Sequence, residues 1–279
     1  MVRRVPARLA EGMTILVLGS TGKTGRRVVE RLRESGEKVL AASRSGEVHF
    51  DWSDPDTWTA PLEQADAVYL VAPEDPAPVA DFVARASRIR RFVVLSGRGI
   101  EQVSDRFGLA MTAAEVAVRE SDAEWTILRA SNFNQNFDEY VWHEELLAGR
   151  FALPIGAAGE AFVDVNDVAA VAAALLTRDG HAGQIYEISG PRTMTFPGAV
   201  ADIAAASGRE IAYVELTPDA YRAELLAAGW PQAAAEEVIV MFELLRTGRN
   251  APPTDTVERV LGRPATDFAD YVERVWRAR

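Results

Sequence analysis

The sequence predicts an α/β fold, in which a doubly wound parallel sheet is joined to a smaller, mostly helical C-terminal lobe. From residue 13 to residue 190, short apolar runs bounded by glycine alternate with helix-like stretches. Such runs are typical of fully buried parallel strands, and their alternation with helices predicts a sheet that has helices on both faces. Beyond residue 190, the apolar residues recur at helical spacing instead.

The first strand and the turn after it carry the most informative motif. Residues 13–18, MTILVL, are almost all apolar, and the glycines that follow stand three residues apart before an amphipathic helix. The first glycine permits a tight turn, the second lets backbone approach a pyrophosphate, and the third lets helix pack close to strand. This context predicts dinucleotide binding, with a glycine-rich turn that binds nothing as the alternative. The predicted cofactor contacts are Gly19, Ser20, Thr21, Gly22, Lys23, Thr24 and Gly25.

The other elements of the sheet follow in regular order. Further strands are predicted at residues 38–43, 48–52, 67–71, 91–95, 124–128 and 184–189. Helices are predicted at residues 53–62, 76–89 and 107–121. Open α/β sheets bind ligands at the carboxyl ends of their strands. In this chain those ends are residues 19–25, 44, 72–73 and 96–97.

The chain divides into three predicted parts. Residues 1–12 contain no apolar stretch like that of a signal peptide, and we expect a flexible extension, with translation starting at Met1 or Met13. Residues 13–190 are predicted to form a Rossmann-type NAD(P)-binding domain, to which residues 131–160 add part of the substrate pocket. Residues 191–279 are predicted to form the C-terminal substrate lobe.

Composition narrows the classes of partner. The chain of 279 residues has a formal net charge of −11, and an acidic chain without a basic tract argues against nucleic acid. It contains no cysteine, which excludes disulfides and thiolate catalysis, and its dispersed histidines predict no metal site. The apolar runs are too short to predict a membrane span. A cytoplasmic location and a small-molecule substrate are therefore expected.

Arg44, directly after the second predicted strand, predicts a preference for NADP(H) over NAD(H). An acidic residue at that place would bind the ribose 2′-hydroxyl of NAD, whereas an arginine suits the 2′-phosphate of NADP. Residues 38–45 contain neither Asp nor Glu. The alternative is a solvent-exposed arginine of a loop, since such arginines are common.

Three segments carry a resemblance to a known family. The G-x-x-G-x-x-G spacing of residues 19–25 resembles the short-chain dehydrogenase/reductase superfamily, in its extended and atypical branch. Residues 125–129, WTILR, and 132–137, NFNQNF, resemble the NmrA-like family, especially its ergot-alkaloid-reductase-like members. Residues 162–169 match another recurring segment of that family, a short strand leading into a helix. The resemblance extends over residues 13–279.

The resemblance implies further site residues. Asp51 falls where the superfamily often contacts adenine, and Ala72 and Pro73 fall beside the cofactor riboses. Ser96 lies near the superfamily's active-site serine and is a candidate for both catalysis and cofactor binding. A serine that merely caps a helix or a turn is the alternative.

The usual acid of the superfamily is absent. Ordinary short-chain dehydrogenases use a tyrosine to protonate the carbonyl oxygen, together with a lysine four residues later that lowers the tyrosine pKa. The lysines of this chain are Lys23 and Lys38, and neither follows a tyrosine at that spacing. The corresponding helix reads Met111-Thr112-Ala113-Ala114-Glu115. Ordinary alcohol–ketone interconversion is therefore in doubt.

The resemblance places a substrate pocket opposite the cofactor cleft. The aromatic rings there suit stacking on a flat substrate. The alternative, to which we give the same weight, is that these rings pack between the core and the lobe. Three functions remain: an NADPH-dependent reductase of iminium or quinone compounds, an NADP(H)-sensing regulator that binds a partner protein, and an isomerase or cyclase. The ergot-alkaloid-reductase-like pattern favours the reductase. The predicted pocket residues are Met111, Asn132, Phe133, Asn134, Asn136, Phe137 and Tyr140.

Overall fold

The computed structural model describes residues 12–139 and 141–277. The predicted extension, apart from Gly12, lies outside the described residues. The strands are β1 (Thr14–Leu18), β2 (Lys38–Ser43), β3 (Val48–His49), β4 (Ala67–Val71), β5 (Arg91–Gly97), β6 (Glu124–Ala130), β7 (Arg150–Leu153), β8 (Gly159–Glu160), β9 (Gln184–Ile188), β10 (Met194–Thr195) and β11 (Ala212–Glu215). The helices are α1 (Lys23–Glu34), α2 (Thr59–Gln64), α3 (Val79–Arg85), α4 (Leu109–Glu120), α5 (Val141–Leu147), α6 (Val165–Thr177), α7 (Phe196–Ser207), α8 (Pro218–Ala227), α9 (Gln232–Arg246), α10 (Thr256–Leu261) and α11 (Phe268–Trp276).

A seven-stranded parallel sheet forms the centre of the molecule, in the order β3-β2-β1-β4-β5-β6-β9. Successive side chains of a strand point to opposite faces, so Ile15 and Val17 pack under α1 and α6. Leu16 and Leu18 pack on the other face, under α2, α3 and α4. The predicted doubly wound fold is confirmed. The strand order reverses between β1 and β4, which is where such sheets bind ligands.

The boundaries of several elements differ from the prediction. β3 is two residues long instead of the predicted five, and the chain turns soon after it, where the Asp51 carboxylate accepts the Ser53 N–H at 2.9 Å. β5 and β6 run further than predicted, up to the pair Gly97 and Ala130. The predicted helix at 53–62 is a 3-10 turn, Pro55–Thr57, followed by α2. In the helical tail, β11 pairs in parallel with β7, a contact between distant segments that helical spacing does not indicate.

A third apolar cluster forms the core of the lobe. It joins Phe137, Trp142 and Phe151, which precede β9, to side chains of α7, α8, α9 and α11. α10 does not belong to it, because Val257 and Val260 pack instead in the cluster under the sheet, where α10 contacts α6 and β9. The chain therefore leaves the nucleotide-binding half, returns to it through α10 and ends in the lobe.

Candidate active site

Glycines determine the shape of the turn between β1 and α1, because larger residues do not fit its backbone at Gly19 and Gly25. Gly19 has a φ of +65°, in the left-handed region that favours glycine. A β-carbon built on Gly25 would lie 2.1 Å from the Gly19 carbonyl oxygen, so no larger residue fits this backbone. Gly22 begins α1, and no side chain caps its first N–H groups. The turn therefore presents uncapped N–H groups at the start of a helix, an arrangement of the kind that binds a pyrophosphate in other proteins.

The side chains of the turn add polar groups to this edge. The Ser20 hydroxyl is buried and has no hydrogen-bond partner among the described residues, as expected where a ligand group completes the site. The Thr21 hydroxyl lies 3.4 Å from the Ser43 hydroxyl, which joins the turn to the end of β2. Thr24 is buried behind the turn and faces the core.

Arg44 is exposed just beyond β2, the strand whose Ala42 carbonyl accepts the Ser20 N–H of the glycine turn at 3.1 Å. No carboxylate of the described chain forms an ion pair with its guanidinium. Asp51 lies on the neighbouring turn, and hydrogen bonds from the Ser53 backbone and hydroxyl hold the pKa of Asp51 below its ordinary value. Its carboxylate thus already has partners within its own turn.

Ser96, at the end of β5, is hydrogen-bonded to a buried charge network. Its hydroxyl donates to Glu115 Oε1 at 2.7 Å, while Arg129 contacts both carboxylate oxygens of Glu115 at 2.9 and 2.8 Å. Burial alone would raise the pKa of Glu115, but the bonds from Arg129 and Ser96 and the charges of Arg129 and Arg119 outweigh it and lower the pKa. A carboxylate only accepts hydrogen bonds, so the Ser96 proton is directed at Glu115 and away from a substrate.

Glu115 was not singled out by the sequence, although it occupies the place of the superfamily's lysine. The signal was present in part, because Glu115 lies four residues after Met111 in the expected helix and Arg129 ends the T-x-L-R strand. Their contact depends on the packing of α4 against β6. Met111 lies over the end of β5, since a β-carbon built on Gly97 would be 3.9 Å from its sulfur. Ala72 and Pro73 lie partly exposed at the end of β4.

The loop after β6 is tied to the start of α6. The Asn134 N–H donates to the Val163 carbonyl at 2.9 Å, and the Gln135 side chain accepts the Val165 N–H at 2.9 Å. Gln135 also donates to Asp164 at 3.1 Å. Asn134, Gln135 and Phe137 of this loop are buried, whereas Asn132, Phe133 and Asn136 stay partly exposed.

Two predicted pocket residues are therefore interior. Asn134 and Phe137 are both 0% exposed, which differs from the expected pocket wall. Phe137 packs against Trp142 and Phe162, with ring centres 5.1 and 5.2 Å away, and so belongs to the lobe core. Asn132, Phe133 and Asn136 remain partly exposed. Tyr140 lies outside the described residues.

The structure joins this loop to the cofactor turn through Lys23. Its ammonium donates to Asn136 Oδ1 at 2.6 Å and lies 5.8 Å from the centre of the Phe133 ring. Burial lowers the pKa of Lys23 to about 8, even though the charges of Glu139 and Asp138 act to raise it. The sequence predicted a cofactor contact for Lys23, in the glycine turn and as a helper of Arg44. Its contact with a residue more than a hundred positions away is a product of the fold.

Glu160 is a second residue with a shifted pKa, and it contacts the same loop. Its side chain is 1% exposed, and its Oε1 accepts the Asn132 N–H at 3.3 Å. Burial raises the pKa of Glu160 to about 7. Nothing in the local sequence indicates this burial, which depends on the pairing of β8 with β10. Among the described residues, no cluster of His, Asp and Glu could hold a metal ion.

The sequence profile of the NAD(P)H-binding family matches residues 19–179, which include the glycine turn after β1, β2 to β8 and α1 to α6. The chain belongs to the NAD(P)H-binding family. Its resemblance to NmrA-like proteins, particularly the ergot-alkaloid-reductase-like members, is confirmed. No helix in the described ranges is both long and apolar enough to cross a membrane.

Relatives within the family match nearly the whole chain. A (4-alkanoyl-5-oxo-2,5-dihydrofuran-3-yl)methyl phosphate reductase of Streptomyces griseus is 34% identical, over 92% of this chain and 96% of its own length. An NAD(P)H azoreductase of Xenophilus azovorans is 30% identical, over 93% and 96%. A festuclavine dehydrogenase of Aspergillus fumigatus is 31% identical, over 94% and 97%.

An NADPH-dependent quinone oxidoreductase of Escherichia coli, solved with NADPH, shares the fold of this NAD(P)H-binding protein. It is 20% identical, with a TM-score of 0.78 over 94% of this chain and 100% of its own. Together with the relatives, it identifies the protein as an NAD(P)H-dependent oxidoreductase.

Proposed function

We propose that the protein is an NADPH-dependent reductase that delivers hydride to an electron-poor small molecule, of the iminium or quinone type, without a Tyr/Lys acid pair. The observation that carries the proposal is the Ser96–Glu115 hydrogen bond of 2.7 Å beside Met111. Met111 has no proton to give, and the Ser96 proton is held by Glu115. The usual acid of an alcohol dehydrogenase is thus replaced by a residue that cannot supply it.

The energetic consequence concerns the charge that forms on the substrate. Hydride addition to a simple ketone develops an alkoxide, and the loss of one preorganised donor for such an anion costs roughly 2.7–4 kcal/mol of barrier. An iminium ion instead loses charge as hydride arrives, and the anion of a reduced quinone is weakly basic. Acceptors of these kinds are therefore the ones that this site favours.

The residues of the chain have separate roles in this proposal. The start of α1 and the glycine turn bind the pyrophosphate, and Arg44 binds the 2′-phosphate, which supports NADP(H) over NAD(H). When bound, the reduced nicotinamide supplies the hydride. Met111, Asn132 and Phe133 hold the acceptor against it, which brings the reacting atoms together. Ala72, Pro73 and Ser96 line the intervening edge.

The names of the relatives support the same class. They include a reductase of an alkanoyl-substituted oxo-dihydrofuran, an azoreductase and a festuclavine dehydrogenase. An oxo-dihydrofuran with an alkanoyl group and an azo compound are both electron-poor acceptors. Each differs from a simple aliphatic ketone.

The test is a panel assay that follows loss of NADPH absorbance with quinones, cyclic iminium salts and simple ketones. We expect turnover of the first two classes and none of the third. Steady turnover of simple ketones would contradict the proposal. If no iminium or quinone compound oxidises NADPH although NADPH binds tightly, the reductase proposal is wrong and a regulator that senses NADP(H) becomes the better hypothesis.

A further inference from the structure

Lys23 connects the cofactor turn with the wall of the candidate pocket. As the first residue of α1, it leaves the turn that fits the pyrophosphate, yet its Nζ lies 2.6 Å from Asn136 Oδ1 and 5.8 Å from the Phe133 ring centre. Both contacts belong to the loop after β6, and both residues are partly exposed. A primary amine is therefore held between the cofactor and the place where a substrate would lie.

The charges around Lys23 act on its pKa in opposite directions. Glu139 and Asp138 face it from the loop after β6, and Arg26 and Arg27 face it from its own helix. Both arginines pair with Glu139, which weakens the pull of that carboxylate on the ammonium. Burial then decides the result and lowers the pKa of Lys23 to about 8. The Asn136 amide oxygen orients the ammonium but, being neutral, holds its proton less firmly than a carboxylate would.

The other protic groups near this edge are less suited to meet a substrate. The Ser96 proton is directed at Glu115, and Glu160 is 1% exposed beneath Asn132. The Tyr69 hydroxyl is fully buried in the sheet. Lys23, by contrast, is partly exposed and can exchange protons with solvent.

We propose that Lys23 is the proton donor for substrates that develop negative charge on oxygen during reduction, namely quinones and conjugated carbonyl compounds. The inference rests on the reductase function proposed above. Hydride forms a C–H bond at the acceptor carbon, the π electron pair moves to the terminal oxygen, and the Lys23 Nζ–H bond breaks as the O–H bond forms. The neutral amine then takes a proton from solvent. An iminium substrate ends as a neutral amine and uses no proton from Lys23.

The test compares the two substrate classes in Lys23→Arg and Lys23→Met. Arginine keeps a positive charge beside the phosphates but does not release a proton near neutral pH, whereas methionine keeps neither. Because general acid catalysis contributes roughly 10²–10⁴-fold, we expect the ratio of conjugated-carbonyl to iminium turnover to fall by at least about a hundredfold in both variants. Lys38→Arg, which changes the remaining lysine on β2, is the matched control and should leave the ratio as it is.

A second readout needs no turnover. Because Lys23 and Lys38 are the lysines of the chain, reductive methylation with ¹³C-formaldehyde labels those amines and the N-terminus. Lys38→Arg assigns the spectrum, and the Lys23 resonance should titrate near pH 8. A Lys23 resonance that titrates near the pKa of a lysine in a model peptide would overturn the inference.

The outcomes separate the two proposals. If the wild-type protein reduces no acceptor, the reductase proposal itself fails. If it reduces both classes and Lys23→Arg keeps the ratio, only the role of Lys23 is wrong. If both classes fall equally in Lys23→Arg together with NADPH affinity, Lys23 binds phosphate and does not donate a proton.

Discussion

The β1–α1 turn and the loop after β6 meet at the same edge of the sheet but are built in different ways. The turn is made of backbone, and its shape follows from three glycines within seven residues. The loop is made of side-chain contacts with distant residues, such as Gln135 with Asp164 and Asn136 with Lys23. Cofactor binding therefore rests on a local motif, whereas the substrate side rests on the completed fold.

The largest effect is expected for substitutions of Gly25 and Gly22, which should damage folding and cofactor binding respectively. In Gly25→Ala, the new β-carbon would lie 2.1 Å from a backbone oxygen, so we expect loss of the native turn and a strongly lowered melting temperature. In Gly22→Val, the nearest backbone atom to the new β-carbon is 3.2 Å away, so the fold should survive while NADPH binding is lost. Thermal unfolding with and without NADPH measures both. Protection of Gly22→Val by NADPH would contradict the assignment of the turn.

The contrast explains which parts of the molecule the sequence could predict. Residues 38–43 and 67–71 are strands with the predicted bounds, because each is a short apolar run closed by polar or turn residues. The inward orientation of Asn134 and Phe137 could not be predicted, since the same aromatic and amide residues suit a pocket wall or a core. Glu160 could not be predicted either, because its burial depends on a strand from beyond β9.

Substitution of Asp164 tests whether the loop after β6 depends on its side-chain contacts with distant residues. Asp164 is 0% exposed and accepts hydrogen bonds from Gln135, the Asn166 N–H and Arg274. Asp164→Ala leaves these donors without their partner. A buried donor without a partner costs about 1–3 kcal/mol in the free energy of unfolding, whereas Arg274, whose side chain is 48% exposed, can turn to water. Asp164→Asn, which keeps an acceptor for the helix start, is the control and should lose less. Equal losses in urea unfolding would show that the carboxylate charge is decisive.

Glu160→Gln gives a pH-dependent effect. Below pH 4.5 Glu160 is neutral in both the folded and the unfolded state; as pH rises to about 7 the unfolded state ionises first, so the folded state loses stability. Glutamine does not ionise, so the variant does not lose this stability. Between acid and neutral pH, the free energy of unfolding of the variant should therefore rise relative to that of the wild type by on the order of 3 kcal/mol. Urea unfolding at a series of pH values measures the gain. A difference that does not change with pH would contradict burial of the carboxyl group.

The smallest expected effect concerns the choice of cofactor. Arg44→Asp should weaken NADPH binding, because a charge-assisted bond to phosphate contributes roughly 1.5–3 kcal/mol, or about tenfold or more in affinity. Arg88→Asp makes the same change of charge before β5, at the opposite end of the strands, and serves as the control. Calorimetric titration with NADPH and NADH measures both. Equal affinity of the wild-type protein for the two cofactors would exclude a phosphate site at Arg44.

The return of the chain through α10 restricts how the protein can be recombined with its relatives. α10 and the turn after it are fastened to α6: the Val260 carbonyl accepts a bond from Arg178 at 3.0 Å, and Asp167 accepts from Arg263 at 2.7 Å. A chimera that exchanges everything after residue 190 would therefore import half of an interface whose other half stays behind. A graft confined to β10 through α9 leaves the contacts between α10 and α6 intact, and what it must match is the packing of α7, α8 and α9 with α11 in the lobe core.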